Sequence, residues 1–88
     1  MIYKVASRSC ADAEGHRHRF HYYLTVDQIE TPGFCCENYG VRVDEEPGDS
    51  VCIPSITTSA LRIDELLTLL ADNLVGPAGL ADVVADWL

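Results

Sequence analysis

The chain has 88 residues, 48% hydrophobic and 23% charged, with six Lys and Arg against fourteen Asp and Glu for a net charge of −8. That length fits one domain, residues 1–88, with a small core, since folding buries roughly 60–65% of the surface such a chain exposes when unfolded. The composition excludes a collagen-like or wholly disordered polymer, and no apolar run approaches the roughly 18 residues of a spanning helix.

The residues Ile2 to Arg8 read as a first strand, and Cys10 to Gly15 as a polar loop. The second strand, about 18–29, carries the clearest signal. Phe20, Tyr22, Leu24 and Val26 alternate with Arg19, His21, Tyr23, Thr25 and Asp27, the period of a strand with one buried face. Thr31-Pro32-Gly33-Phe34 is a turn signal, because proline presets φ at the second position and glycine accepts positive φ at the third. A third strand spans about 34–45. If Thr31 opposes Phe34, then Val26 meets Tyr39, Leu24 meets Val41 and Tyr22 meets Val43, all apolar. On the other face Tyr23 meets Arg42, His21 meets Asp44 and Arg19 meets Glu46, which are favourable cross-strand pairs. A slip of one residue would mix the faces, whereas a shift of two would preserve them, so parity is specified and exact register is not.

Glu46-Pro47-Gly48-Asp49 forms a second turn, followed by a fourth strand at about 51–56. Pro54 cannot donate to a ladder, so that strand is expected to be an edge or to end there. Thr58 or Ser59 caps a helix over about 59–74, with Ile63, Leu66, Leu67, Leu70 and Leu74 in one stripe and Leu61 and Leu69 outside it. Gly76 is expected to end this helix, and Pro77 to open another over 77–88, whose stripe is Leu80, Val83, Val84, Trp87 and Leu88. The expected fold class is therefore α+β: a four-stranded antiparallel β-meander followed by two C-terminal helices on one sheet face, ββββαα.

Charge is uneven. Residues 1–26 carry +2 and residues 27–88 carry −10. Only His16 to His21 could form a basic cluster, which is too short for phosphate recognition, so nucleic acid and anionic membrane surfaces are disfavoured. The opening stretch, Met1 to Ser9, lacks the apolar segment of a secretory signal. With no such signal, Cys10, Cys35, Cys36 and Cys52 are expected as reduced thiols in a cytoplasm.

Four constellations could carry chemistry. Cys10, His16, His18 and Cys52 are zinc-type ligands that could meet at one end of the sheet, although neither C-x-x-C nor H-x-x-x-H spacing occurs. A cysteine–imidazole dyad needs contact within about 3–4 Å, whereas His21 lies roughly 26 Å along the hairpin from Cys35 and Cys36. Asp82 and Asp86 share one side of the last helix, with Asp86 at its unfavourable end; paired-carboxylate acid/base chemistry, an ion pair or hydrogen bond to Arg42 or Arg62, or simply a solvated face would each account for it. Last, Arg19, His21, Tyr23 and Arg42 form an outward aromatic–arginine face of the kind found at contacts. No dinucleotide-binding, P-loop, zincin or serine-hydrolase motif occurs.

Tyr22-Tyr23-Leu24, then Tyr39-Gly40-Val41, then Asp82-Val83-Val84-Ala85-Asp86-Trp87-Leu88 resembles a family of short uncharacterised proteins from Gram-positive anaerobic bacteria. The resemblance covers about residues 20–88, without the first twenty residues or the Cys35-Cys36 pair. It implies a bacterial cytosolic setting and lends no activity, cofactor or catalytic residue. The expected function is a non-catalytic interaction or regulatory module. It would bind a protein partner or a second copy of itself through Arg19, His21, Tyr23 and Arg42, with no cofactor. The alternative is a metal- or small-ligand-binding domain built on Cys10, His16, His18 and Cys52.

Overall fold

Alternating side chains on paired strands create one apolar face that must be covered, and two amphipathic helices supply the cover. In the computed structural model, which describes residues 1–88, four strands form one antiparallel sheet. They are β1 (Ile2–Ala11), β2 (Arg17–Thr31), β3 (Phe34–Glu46) and β4 (Ser50–Thr57), in the spatial order β1-β2-β3-β4. The helices α1 (Ala60–Asp72) and α2 (Pro77–Trp87) follow. No helix is long and apolar enough to cross a membrane.

The β2–β3 register is the one set by opposing Thr31 and Phe34, unbroken to Arg19 opposite Glu46. Gly33 has φ +80°, the value a type II turn requires at its third residue. The inward parity brings Phe20, Tyr22, Val41 and Val43 against Ile63, Leu66, Leu67, Leu70 and Ala71 of α1 and Leu80 and Val84 of α2. Tyr22, Leu66, Leu70 and Leu80 are wholly buried. Burial pushes the Tyr22 phenol up to about 12, so the ring sits in the core as a neutral group.

The second helix opens at Pro77 as expected, but the end of the first differs from expectation. The side chain of Ser59 caps α1 by accepting from the Arg62 N–H at 3.2 Å, as the sequence suggests. The helix ends at Asp72, and Leu74, expected on the buried stripe, turns out with φ +52° and is exposed. The Val75 N–H donates to Leu70 O at 3.0 Å and the Leu74 N–H to Ala71 O at 3.3 Å, a Schellman closure with leucine where glycine is usual. Gly76 does not end α1. It is the N-cap residue of α2, and a Cβ there would stand 3.0 Å from the Phe20 ring.

Pro54 is accommodated on the edge strand β4 by a bulge, since Ile53 pairs with Val41 and Thr57 with Tyr39 across Gly40 alone. The bulged backbone closes over Gly40 so tightly that a Cβ would lie 2.4 Å from Ile53 O and 2.6 Å from Pro54 Cα. Glycine is therefore required at this position.

The molecule measures 55 × 23 × 17 Å, and its radius of gyration is 14.1 Å against about 12 Å for a compact chain of this length. The elongation has a single source. Pairing to β1 stops at Ile2–Thr25 and pairing to β4 at Tyr39–Thr57, while β2 and β3 run on for five more pairs, from Asp27–Asn38 to Thr31–Phe34. Residues 27–38 thus form a two-stranded arm about 15 Å long.

Two substitutions test these local constraints by chemical denaturation. Gly40→Ala should lower stability by about 2–3 kcal/mol, because backbone rather than a side chain must yield. Leu74→Gly should raise it by about 0.5–1 kcal/mol by relieving the left-handed leucine.

Candidate functional site

The outward face of the sheet collects the odd-numbered positions of β2 and their partners. Arg19, His21 and Tyr23 stand there with Arg42, as expected, beside Ser7 of β1 and Asp44 and Glu46 of β3. The contacts among them are not simply the directly opposed ones. Arg42 spans two positions along its own strand to Asp44, with Nε at 2.8 Å and Nη2 at 3.3 Å, and Ser50 Oγ donates to the same carboxylate. The Arg42 guanidinium also lies 5.7 Å from the centre of the Tyr23 ring, within cation–π range. With Asp44 so engaged, His21 turns diagonally, and its Nε2 lies 3.1 Å from Glu46 Oε2. Its Nδ1 lies 2.9 Å from Ser7 Oγ. Arg19, expected to pair with Glu46, makes no ion pair and stays exposed.

These partners shift the acids. Burial pushes the Asp44 carboxyl up, but hydrogen bonds from Arg42 and Ser50 outweigh it and hold the group below the usual carboxylate range. His21 beside Glu46, reinforced by Arg19 and Lys4, holds that carboxyl down as well. His21 itself is only 8% exposed. Its Nδ1 faces Ser7 of β1 and its Nε2 faces Glu46 of β3, so Arg19, Tyr23 and Arg42 are the more accessible members of the set. Ser7, His21 and Glu46 form a serine–imidazole–carboxylate chain, but Ser7 sits in mid-strand. Successive strand N–H groups point in opposite directions, so its own strand offers no convergent pair to hold an oxyanion. The chain reads as a brace.

The histidine–cysteine cluster does not assemble. Asp12 organises the β1–β2 loop instead, its Oδ1 accepting from the backbone N–H groups of Glu14 and His16, both at 2.9 Å. His18 Nε2 lies 3.1 Å from Asp12 Oδ2 and His16 Nδ1 3.5 Å from the same oxygen. The His16 backbone bond and the His18 side chain lower the Asp12 pKa. Cys10 pairs with His18 across β1 and β2, while Cys52 pairs with Arg42 across β3 and β4. The two cysteines thus occupy opposite edges of the sheet and opposite faces, three strand spacings (about 14 Å) apart across the sheet and five residues (about 16 Å) apart along it. No group of three or more His, Cys, Asp or Glu side chains is placed to hold a metal. Nor does Asp86 pair with Arg42 or Arg62; Arg62 lies 4.4 Å over the Trp87 ring instead.

Two features escaped the sequence reading. The first is the arm. Along the body, even positions of β2 are apolar and face the helices; beyond Asp27 the apolar residue is Ile29, opposite Cys36, with Phe34 on the same parity. Gln28, Glu30, Cys35 and Glu37 take the helix-facing parity. The break in alternation at Asp27 was available as a signal. Ile29 and Phe34 are both exposed. The second is a groove of about 630 Å³ on the helix-facing side at the base of the arm, floored by Tyr3, Leu24, Val26 and Tyr39. It requires the β1–β2 register, which no pattern in β1 specifies.

The whole chain, residues 1–88, matches a family described as a family of unknown function, and the match includes the first twenty residues. No curated protein and no solved structure matches it.

The pKa shifts carry a prediction. Asp12, Asp44 and Glu46 all titrate lower in the folded chain than unfolded. Their contribution to stability is thus present above the unfolded values and is lost as pH falls through the folded ones. Urea midpoints should fall progressively below about pH 4.5, and Asp44→Asn should flatten that fall while lowering the midpoint at pH 7.

Proposed function

We infer that this chain, which belongs to that family of unknown function (DUF6514), is a non-catalytic docking module that engages a protein partner with its arm and the adjoining outward sheet face. One observation carries the reading. The apolar side of the arm, Ile29, Phe34 and Cys36, points away from the chain's own helices, so nothing in its own fold covers it. Isolated two-stranded ribbons are marginal in water, and a partner laid along this side would order the arm. Tyr23, Arg42 and Arg19 continue the same face toward the body, and exposed tyrosine and arginine are the residue types that concentrate binding energy. The mutual braces of Asp44 with Arg42 and of Glu46 with His21 hold that surface rigid before binding, which lowers the entropy lost on association. The four cysteines are unbridged, in keeping with a reducing bacterial cytoplasm.

The test is a photo-crosslinking residue placed at position 34 in the native host. A discrete adduct is expected from position 34, suppressed by adding Ile29→Ser, and absent when the crosslinker stands at Leu61 on α1. Ile29→Ser should change stability by no more than about 0.5 kcal/mol, as exposed substitutions do. A smear of adducts, or an adduct indifferent to Ile29→Ser, would overturn the assignment. A single adduct of twice the chain mass would identify the partner as a second copy.

A further inference from the structure

The groove on the opposite side of the arm is independent of that docking surface and differs from it in chemistry. Its floor is apolar and aromatic: Leu24 and Val26 between the rings of Tyr3 and Tyr39. Its rim is acidic. Glu37 lies on the helix-facing parity, and the Tyr39 hydroxyl donates to Glu37 Oε2 at 2.8 Å, which fixes the carboxylate beside the ring. Asp27 also lines the groove. No lysine or arginine does, and residues 22–41 contain three acids and no Lys or Arg; the one cation at the groove is the Met1 ammonium, tied to the backbone by donating to Val26 O at 2.9 Å. The volume of about 630 Å³ falls within the roughly 300–1,000 Å³ of small-molecule sites.

We propose that this groove binds a small organic cation, an ammonium group carried on an aromatic or alkyl body. The apolar body lies on Leu24 and Val26, displacing water from the floor. The ammonium reaches the Glu37 carboxylate, where a low-dielectric floor strengthens the attraction, and the two tyrosine faces add cation–π attraction. The two rim carboxylates outnumber the single Met1 ammonium, which Val26 O already engages, so anions are disfavoured, and a neutral analogue gains only the floor. Tyr39 acts as a positioning residue, because its hydroxyl holds Glu37 in place. Its pKa is raised by that hydrogen bond to Glu37, so the phenol stays a donor across the working range.

The experiment is an amide-resolved NMR titration of the full chain with tryptamine, its neutral analogue tryptophol, and indole-3-propionate. Tryptamine should give saturable shifts centred on residues 3, 24–26 and 37–39, with tryptophol at least tenfold weaker and indole-3-propionate silent. Glu37→Gln should weaken tryptamine at least tenfold while leaving the remaining spectrum, and hence the fold, unchanged. Tyr39→Phe keeps the ring and should weaken it less than Glu37→Gln. Equal response to the three probes, shifts that map elsewhere, or full affinity in Glu37→Gln would each overturn the proposal. Ile29→Ser should bind tryptamine normally, so failure of this site and failure of the docking surface are separately visible.

Discussion

The coincidence of apolar sides across the β2–β3 hairpin is the constraint on which the rest depends. The Pro32-Gly33 turn sets the count between the strands, so that Tyr22 meets Val43 and Leu24 meets Val41 on the same face. Side-chain direction alternates with strict period two. A turn longer or shorter by one residue would therefore have put half of this set in water. Because the parities agree, α1 and α2 have a continuous surface to cover, and Tyr22, Leu66, Leu70 and Leu80 become wholly buried. In a chain of 88 residues such burial is the main stabilising term available, with no disulfide to assist.

The same parity determines what is left outside. Every polar residue interleaved with the core set must face outward, and there the charges satisfy one another before anything else arrives. Arg42 takes Asp44 within its own strand, so His21 goes to Glu46 and Ser7. Which acid a base reaches is decided by side-chain length and competition, and direct opposition in the ladder is only a starting point. The outcome is a face that is braced yet retains Tyr23 and the Arg42 guanidinium at its surface.

Where the alternation breaks, the molecule changes character. At Asp27 the apolar parity crosses from the helix side to the outer side, and at about the same level β1 and β4 stop pairing. The helices cover most of what the inner parity supplies and stop short of the level of Val26 and Tyr39, which with Tyr3 and Leu24 floor the groove. The arm that remains is greasy on one side and acidic on the other, which gives the two sides different ligand chemistries. A hydrophobic side with no intramolecular cover and a carboxylate-rimmed groove are both consequences of one shift in pattern.

Much of this was legible in the residues themselves. Period-two alternation over 20–26 and 39–43, the proline–glycine turn and the leucine stripes specify four strands, two helices, the parity of the hairpin and the outward set of Arg19, Tyr23 and Arg42, because each is a local rule with a fixed period; the exact hairpin register was conditional on Thr31 opposing Phe34. Other features required the assembled chain. The β1–β2 register, which brings Ser7 to His21 and Tyr3 to Leu24, has no strong alternation in β1 to announce it. The separation of Cys52 from Cys10 follows from strand order across the whole sheet. The need for glycine at position 40, and the left-handed Leu74 in place of Gly76, arise from backbone closing on backbone at places where spacing in the chain carries no information. Periodicity reports which side a residue faces; only tertiary packing decides what meets it there.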